Sequence, residues 1–168
     1  PELLKMGDGC YDGELMGEDF ISLMRQAYRK EDVNVSGTYL ALFDFVPLSE
    51  WESRKSYLTC EDRFEVLLDK LADNDIDLRI LTPVERANVE CNYLVIKGFH
   101  DYYVTQGYEG AMIKQPDAPY KFGRGYEVMK LKAFHDVDLP VQGLLEGTGK
   151  HAGKLGSVVV NYQGVEVQ

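Results

Sequence analysis

The sequence predicts a mixed α+β domain with largely antiparallel strands, giving way near residues 135–139 to the start of a small β-barrel. Three observations carry this expectation. Strand-like and helical segments alternate as far as Lys114, and a further strand-like segment runs to Phe134. No GxGxxG or Walker-type glycine loop follows any strand, so the nucleotide site of a doubly wound parallel sheet is missing. Residues 143–164 (GLLEGTGKHAGKLGSVVVNYQG) then set six glycines among short Val and Leu runs, the pattern of tight turns in a small barrel. The expected domains are residues 1–135 and 136–168.

Tyr11–Met16 reads as a short strand entering a Gly-rich turn. From Asp19, the residues Phe20, Leu23, Met24, Ala27 and Tyr28 recur at helical spacing, which predicts an amphipathic helix to about Lys30. Thr38–Val46 is β-rich and stops at Pro47, a buried strand. Thr59 is placed to N-cap a second helix, with Glu61 and Asp62 favourable to its positive end and Phe64, Leu67, Leu68 and Leu71 as its apolar stripe. Leu78–Val84 alternates as a strand. Residues 91–106 predict a helix ended by Gly107, with Leu94, Phe99, Tyr102 and Tyr103 inward. Glu109–Lys114 and Tyr126–Phe134 are strand-like and bracket a turn-rich stretch, Gln115–Gly125.

A chain of 168 residues makes one domain, or one with a small appendage. With 45% hydrophobic and 27% charged residues it can bury a core. No apolar run is long enough to span a bilayer, and no signal peptide opens the chain. The first residue is Pro1 rather than Met, which points to a processed or truncated product. Three dispersed cysteines, Cys10, Cys60 and Cys91, argue against a disulfide framework or zinc ribbon and for a reducing compartment. The net charge of −10 argues on its face against nucleic acid. All of the excess negative charge, however, lies in residues 1–96. Lys114, Lys121, Arg124, Lys130 and Lys132 form a basic strip compatible with a phosphate site.

Asp12 and Glu14 lie two apart on a predicted strand and so share a face, which suits a divalent metal or a ribose hydroxyl. The same triplet also reads as a solvated strand edge. Glu109 and Lys114 bracket a strand. On strict alternation they point to opposite faces, and a bulge near Gly110 would bring both toward a ligand. Lys130 and Lys132 share one strand face at roughly 6–7 Å, opposite Met129, Leu131 and Ala133. Two such ammonium groups call for an anion, and a polyphosphate fits better than one carboxylate; solubilising lysines are the alternative. Phe43 by itself reads as core. His100, His135 and His151 have no metal-ligand spacing and read as surface or helix residues, and no Ser/His/Asp or Cys/His pairing is apparent.

Taken in order, DGEL at Asp12–Leu15, LFDFVPL at Leu42–Leu48, EGAMIK at Glu109–Lys114 and MKLK at Met129–Lys132 resemble motifs III, IIIa, IV and V of ATP-dependent DNA ligases. These belong to the covalent nucleotidyltransferase superfamily, and the resemblance covers nearly the whole chain. GTGKHAGKLGSVVV at Gly147–Val160 is similar to the opening strands of the OB-fold that follows the catalytic domain in small bacterial and phage ligases. That segment favours DNA ligase over mRNA-capping guanylyltransferase or RNA ligase.

The resemblance implies a nucleotidyltransferase fold, related to ATP-grasp enzymes, through residue 135, and OB-fold strands beyond it. It implies ATP and Mg²⁺, with Mn²⁺ as a substitute, nicked duplex DNA as partner, no membrane, a monomer, and a cytoplasmic setting in a bacterial cell or phage-infected host. Glu14 would contact the ribose and help hold the metal, Phe43 would stack on adenine, and Glu109 would bind the cation. Lys130 and Lys132 would reach the α-phosphate as catalytic groups, Lys114 would approach the nucleotide, and Arg124 would contact phosphate. Met129 stands where many members carry an aromatic residue. The family's nucleophilic lysine lies in a KxDG motif that this chain lacks; Lys5-Met6-Gly7-Asp8-Gly9 is one residue too long and too near motif III. The late basic motif VI is also missing, so the chain is expected to be the middle of a ligase, inactive alone. A non-catalytic nucleotide- or nucleic-acid-binding module is the reading from another class.

Overall fold

The computed structural model describes residues 2–133 and 136–168. The end of the strand expected to reach Phe134, the surface position expected for His135 and the first residue of the expected boundary lie outside the described residues. The chain divides into two compact units, Pro1–Lys132 and Ala133–Gln168. The first contains, in order, α1 (Glu2–Lys5), β1 (Cys10–Met16), α2 (Phe20–Ala27), β2 (Tyr39–Val46), α3 (Leu48–Ser53), α4 (Cys60–Asp73), β3 (Leu81–Pro83), α5 (Tyr93–Thr105), β4 (Gly110–Lys114) and β5 (Val128–Lys132).

Strand β2 is central, antiparallel to β1 and parallel to β3. Its aliphatic and aromatic run pairs with β1 along its length and with β3 at Leu40–Leu42, and Leu42, Asp44, Phe45 and Val46 are all buried. Helix α4 packs against β2. It begins with a reciprocal capping box: Asp62 N–H donates to Thr59 Oγ1, and Thr59 N–H donates to the Asp62 carboxylate, both at 3.1 Å. Met6, Leu42, Phe45, Leu67, Leu71, Ile76 and Leu81 form one apolar core around this sandwich of sheet and helix. Strands β4 and β5 form a separate antiparallel ribbon, with α5 packed on β4.

Several elements differ from expectation. The inward stripe of α4 is Cys60, Arg63, Leu67 and Leu71, whereas Leu68 faces solvent. Helix α2 ends at Ala27, not Lys30; Leu23 is buried, but Ala27 and Tyr28 are exposed. Its last turn closes when Tyr28 N–H donates to Met24 O, and the charged run that follows leaves the helix. The expected strand Leu78–Val84 shrinks to β3, because Asp77 nucleates a turn. Its side chain accepts from Arg79 N–H, and its carbonyl accepts from the N–H groups of Ile80 and Leu81. Leu78 and Ile80 are exposed as a result.

Helix α5 presents a different face from the one predicted. Leu94 is 75% exposed and Tyr102 and Phe99 also face outward, while His100 is buried with Ile96 and Tyr103 half-buried beside it. The segment is apolar nearly all round, so its periodicity leaves the inward stripe undetermined. Helices α1 and α3 are additional short elements.

The second unit is an antiparallel meander, β6 (Val141–Glu146), β7 (Leu155–Tyr162) and β8 (Val165–Val167), with a 3₁₀ turn at Gly149–His151 that leaves His151 exposed. The two-residue turn Gln163-Gly164 joins β7 to β8, and Asn161 Oδ1 accepts from Gly164 N–H at 2.9 Å. Among the described residues there is no closed barrel, no helix long and apolar enough to cross a membrane, and no disulfide.

Candidate functional site

The ribbon of β4 and β5 sets the three strand lysines on one face. Met112 pairs with Lys130, Gly110 with Lys132, and Lys114 with Val128. Residues directly opposite share a face, and so do alternate residues along a strand, which places Lys114, Lys130 and Lys132 together. Glu109 lies just before β4, and its carboxylate accepts from Lys132 Nζ at 2.8 Å, with Lys130 Nζ 3.6 Å away. The hydrogen bond from Lys132, then the charges of Lys132 and Lys130, hold the Glu109 carboxyl below its ordinary value. The Glu109 side chain is 71% exposed, and exposed pairs of this kind contribute little to stability. They are easily exchanged for a ligand anion on the lysines and a cation on the glutamate.

Gly110 makes this ribbon possible. Its φ of +156° suits glycine, and a Cβ there would stand 2.1 Å from Leu131 O. Gly110→Ala should therefore lower the thermal midpoint, since backbone strain of this type alone costs about 1–3 kcal/mol. Scanning calorimetry checks this; an unchanged melting curve would mean that the ribbon relaxes around the methyl group.

A second cluster lies where β1 meets β2. Asp12 pairs with Asp44 and Gly13 with Leu42, which leaves Phe43 as an extra residue in a β-bulge. The bulge frees the Phe43 carbonyl from the ladder, and it accepts from Lys114 Nζ at 3.0 Å and from Arg86. Lys114 Nζ is 5.7 Å from the Phe43 ring centroid, within cation–π range, and the ring is half-buried. Gly13 permits the close strand approach here, because a Cβ would stand 2.7 Å from Ala41 O. Asp12 feels desolvation, which pushes its carboxyl up; Lys114 draws it down, and Asp44 adds to the upward shift that prevails.

Asp44 is buried in a double clamp. Arg63 donates through Nε to Oδ1 at 2.8 Å and through its terminal nitrogen to Oδ2 at 3.1 Å, and both side chains are only 4% exposed. Lys114 Nζ also reaches Oδ2, at 3.1 Å. Burial pushes the Asp44 carboxyl up, but the Arg63 hydrogen bonds and the Lys114 charge outweigh it and hold the group below its ordinary value.

Arg124 sits exposed in the loop between the ribbon strands and makes no hydrogen bond or ion pair with the other site residues. That loop is nonetheless anchored. Pro116 O and Ala118 O accept from the N–H groups of Glu61 and Cys60, satisfying unpaired donors of the first turn of α4. Tyr120 and Phe122 pack against Trp51, with the Arg54 guanidinium over Phe122. Glu14 is exposed on β1 opposite Ala41. Among the described residues, no three His, Cys, Asp or Glu side chains converge on one point. Glu109 and Glu14 thus do not build a protein-only cage, and a small divalent cation would have to be completed by water and phosphate oxygens, as is usual for Mg²⁺.

Asp44, Arg63 and Arg86 were not among the residues singled out from the sequence. An acid inside the apolar run LFDFV is a usable signal, because a buried carboxylate requires a partner.

No family model matches the chain. A probable DNA ligase of Mycolicibacterium vanbaalenii is 40% identical over 63 residues, 37% of this chain and 12% of that protein. DNA ligase 2 of Korarchaeum cryptofilum is 28% identical over 156 residues, 88% of this chain and 25% of that protein. The solved structure called Pmar-Lig_PreS3 superposes with a TM-score of 0.80 at 31% identity, over 93% of this chain and 38% of that one. The ATP-dependent DNA ligase from bacteriophage T7, in complex with ATP, superposes at 0.60 with 19% identity, over 98% of this chain and 59% of that one. This last likeness speaks for the fold alone. The chain thus spans between an eighth and a quarter of the curated relatives. Its resemblance to DNA ligases holds in sequence, and its fold is like that of an ATP-dependent DNA ligase.

Proposed function

We propose that this chain is the nucleotide-handling part of an ATP-dependent DNA ligase that seals nicks in duplex DNA during replication, repair or recombination. The observation that carries the reading is the β4–β5 ribbon, which gathers Lys114, Lys130 and Lys132 on one face with Glu109 against the last two. Residues 1–135 would be the later part of the adenylation domain, and residues 136–168 the first strands of an OB-fold. A cytoplasmic monomer is the accompanying expectation.

The residues fit a nucleotide by chemistry. Phe43 offers a half-buried ring with a cation 5.7 Å from its centroid, and an aromatic ring of this kind is suited to stacking on adenine. Lys130 and Lys132 offer two ammonium groups to the α-phosphate, where charge develops as the adenylyl group passes from ATP to a lysine, releasing pyrophosphate, and then to the 5′-phosphate of the nick. Arg124 would add a phosphate contact from its exposed loop. Glu109, with Glu14, would hold Mg²⁺, or Mn²⁺ in its place, which supplies charge neutralisation at the phosphates. The attacking lysine would come from a KxDG motif outside these 168 residues. The names of the relatives favour this reading over a capping guanylyltransferase or RNA ligase, which would use the same motifs, and over a binding module without catalysis.

The 168-residue chain should accordingly form no covalent AMP adduct. Incubation with ATP and Mg²⁺, denaturation and intact-mass analysis check this. An acid-labile gain of one AMP would contradict it and identify a substitute lysine.

A further inference from the structure

We infer that Asp44, clamped by Arg63, is a positioning residue that fixes the Lys114 ammonium beside the Phe43 ring for the nucleotide, an inference that rests on the proposed nucleotide site. The Asp44–Arg63 pair is complete without Lys114. Both carboxylate oxygens are engaged by the guanidinium, and Oδ1 also accepts from Phe45 N–H at 2.9 Å. Arg63 is itself held from other sides, donating to Leu58 O at 2.8 Å and lying 5.5 Å from the Tyr120 ring centroid. A guanidinium and carboxylate so satisfied would serve as a neutral structural pair.

The additional ammonium needs another account. Lys114 comes from the distant ribbon, 70 residues along the chain, and its side chain is 17% exposed. It brings a second positive charge to a carboxylate that Arg63 already satisfies, close enough to Asp12 to draw that carboxyl down as well. Two of its three donors are spent on Asp44 Oδ2 and Phe43 O, and one N–H is left for another acceptor. The carbonyl it grips belongs to the residue in the bulge, so the same ammonium ties down the backbone that carries the stacking ring. Asp44 thus acts through Lys114 and never touches the nucleotide itself.

The test is a double-substitution cycle in the full-length protein that carries this chain, read by calorimetric binding of α,β-methylene-ATP, which cannot be cleaved at the reacting bond. Asp44→Asn and Lys114→Met should each weaken binding about tenfold or more, as expected for losing a charged hydrogen-bond partner. The double variant should bind no worse than the poorer single one, because both remove one coupled unit. Ile76→Ala, which destabilises the core beyond the far end of α4 from Arg63, should leave affinity unchanged. Arg63→Lys keeps the charge but loses the two-point grip. It should also weaken binding several-fold, and it provides the same test if Asp44→Asn does not fold. Independent, multiplying losses, or wild-type affinity in Asp44→Asn or Arg63→Lys, would overturn the positioning role while leaving the nucleotide site intact. Failure of the wild-type protein to bind the analogue would overturn both.

Discussion

Lys130→Ala, made in the full-length protein that carries this chain, is expected to depress adenylylation by two to three orders of magnitude. A preorganised donor to charge that develops in a transition state contributes about 2.7–4 kcal/mol. Lys130 is placed for that role: it stands on the same ribbon face as Lys114 and Lys132 and shares Glu109 with Lys132. Its side chain is 58% exposed, so truncation removes little packing and the protein should melt at its normal temperature. Lys150→Ala is the comparison, since Lys150 lies in the exposed 3₁₀ turn of the second unit. Single-turnover adenylylation of the two variants separates the alternatives. Equal, mild effects at both positions would make the strand lysines solubilising groups.

The second large effect concerns Glu109. Glu109→Gln keeps the size of the side chain and removes the charge proposed to hold Mg²⁺ near the phosphates. Nick sealing should fall sharply at ordinary Mg²⁺ while the fold persists, because this carboxylate is exposed and its pairing with Lys130 and Lys132 is a surface one. Higher Mg²⁺ or added Mn²⁺ should restore part of the activity, since Mn²⁺ and related transition metals bind N/O sites well at low concentration. Glu127→Gln is the control. Glu127 also pairs with a lysine, Lys121 at 3.3 Å, but has no metal role in the proposal. Wild-type sealing by Glu109→Gln across a Mg²⁺ titration would refute the assignment, and so would a loss matched by equal thermal destabilisation.

What could be read from the sequence follows the range of the forces involved. The shared face of Lys130 and Lys132 is a consequence of strand alternation, and the N-cap at Thr59 is a consequence of local hydrogen bonding, so both were legible. Glu109 was only half legible. Strict alternation sets it opposite Lys114, and the unusual backbone at Gly110 is what accompanies its reach to Lys132. The inward face of α5 was misread because Tyr93–Thr105 is apolar on most sides, and packing against β4 decides which side is covered. The Asp44–Arg63–Lys114 cluster joins three elements separated by 19 and 51 residues, a product of tertiary packing that no local pattern announces. The bulge that isolates Phe43 likewise exists only once β1 and β2 are paired.

The central claim, that this chain handles ATP for a DNA ligase, is tested most directly by weighing the full-length protein after incubation with Mg²⁺ and either ATP or GTP, before and after addition of a nicked duplex. The account predicts an acid-labile AMP adduct with ATP alone, no adduct with GTP, and loss of the adduct as the nick is sealed. A GMP adduct, or an AMP adduct that nicked DNA fails to discharge, would contradict it.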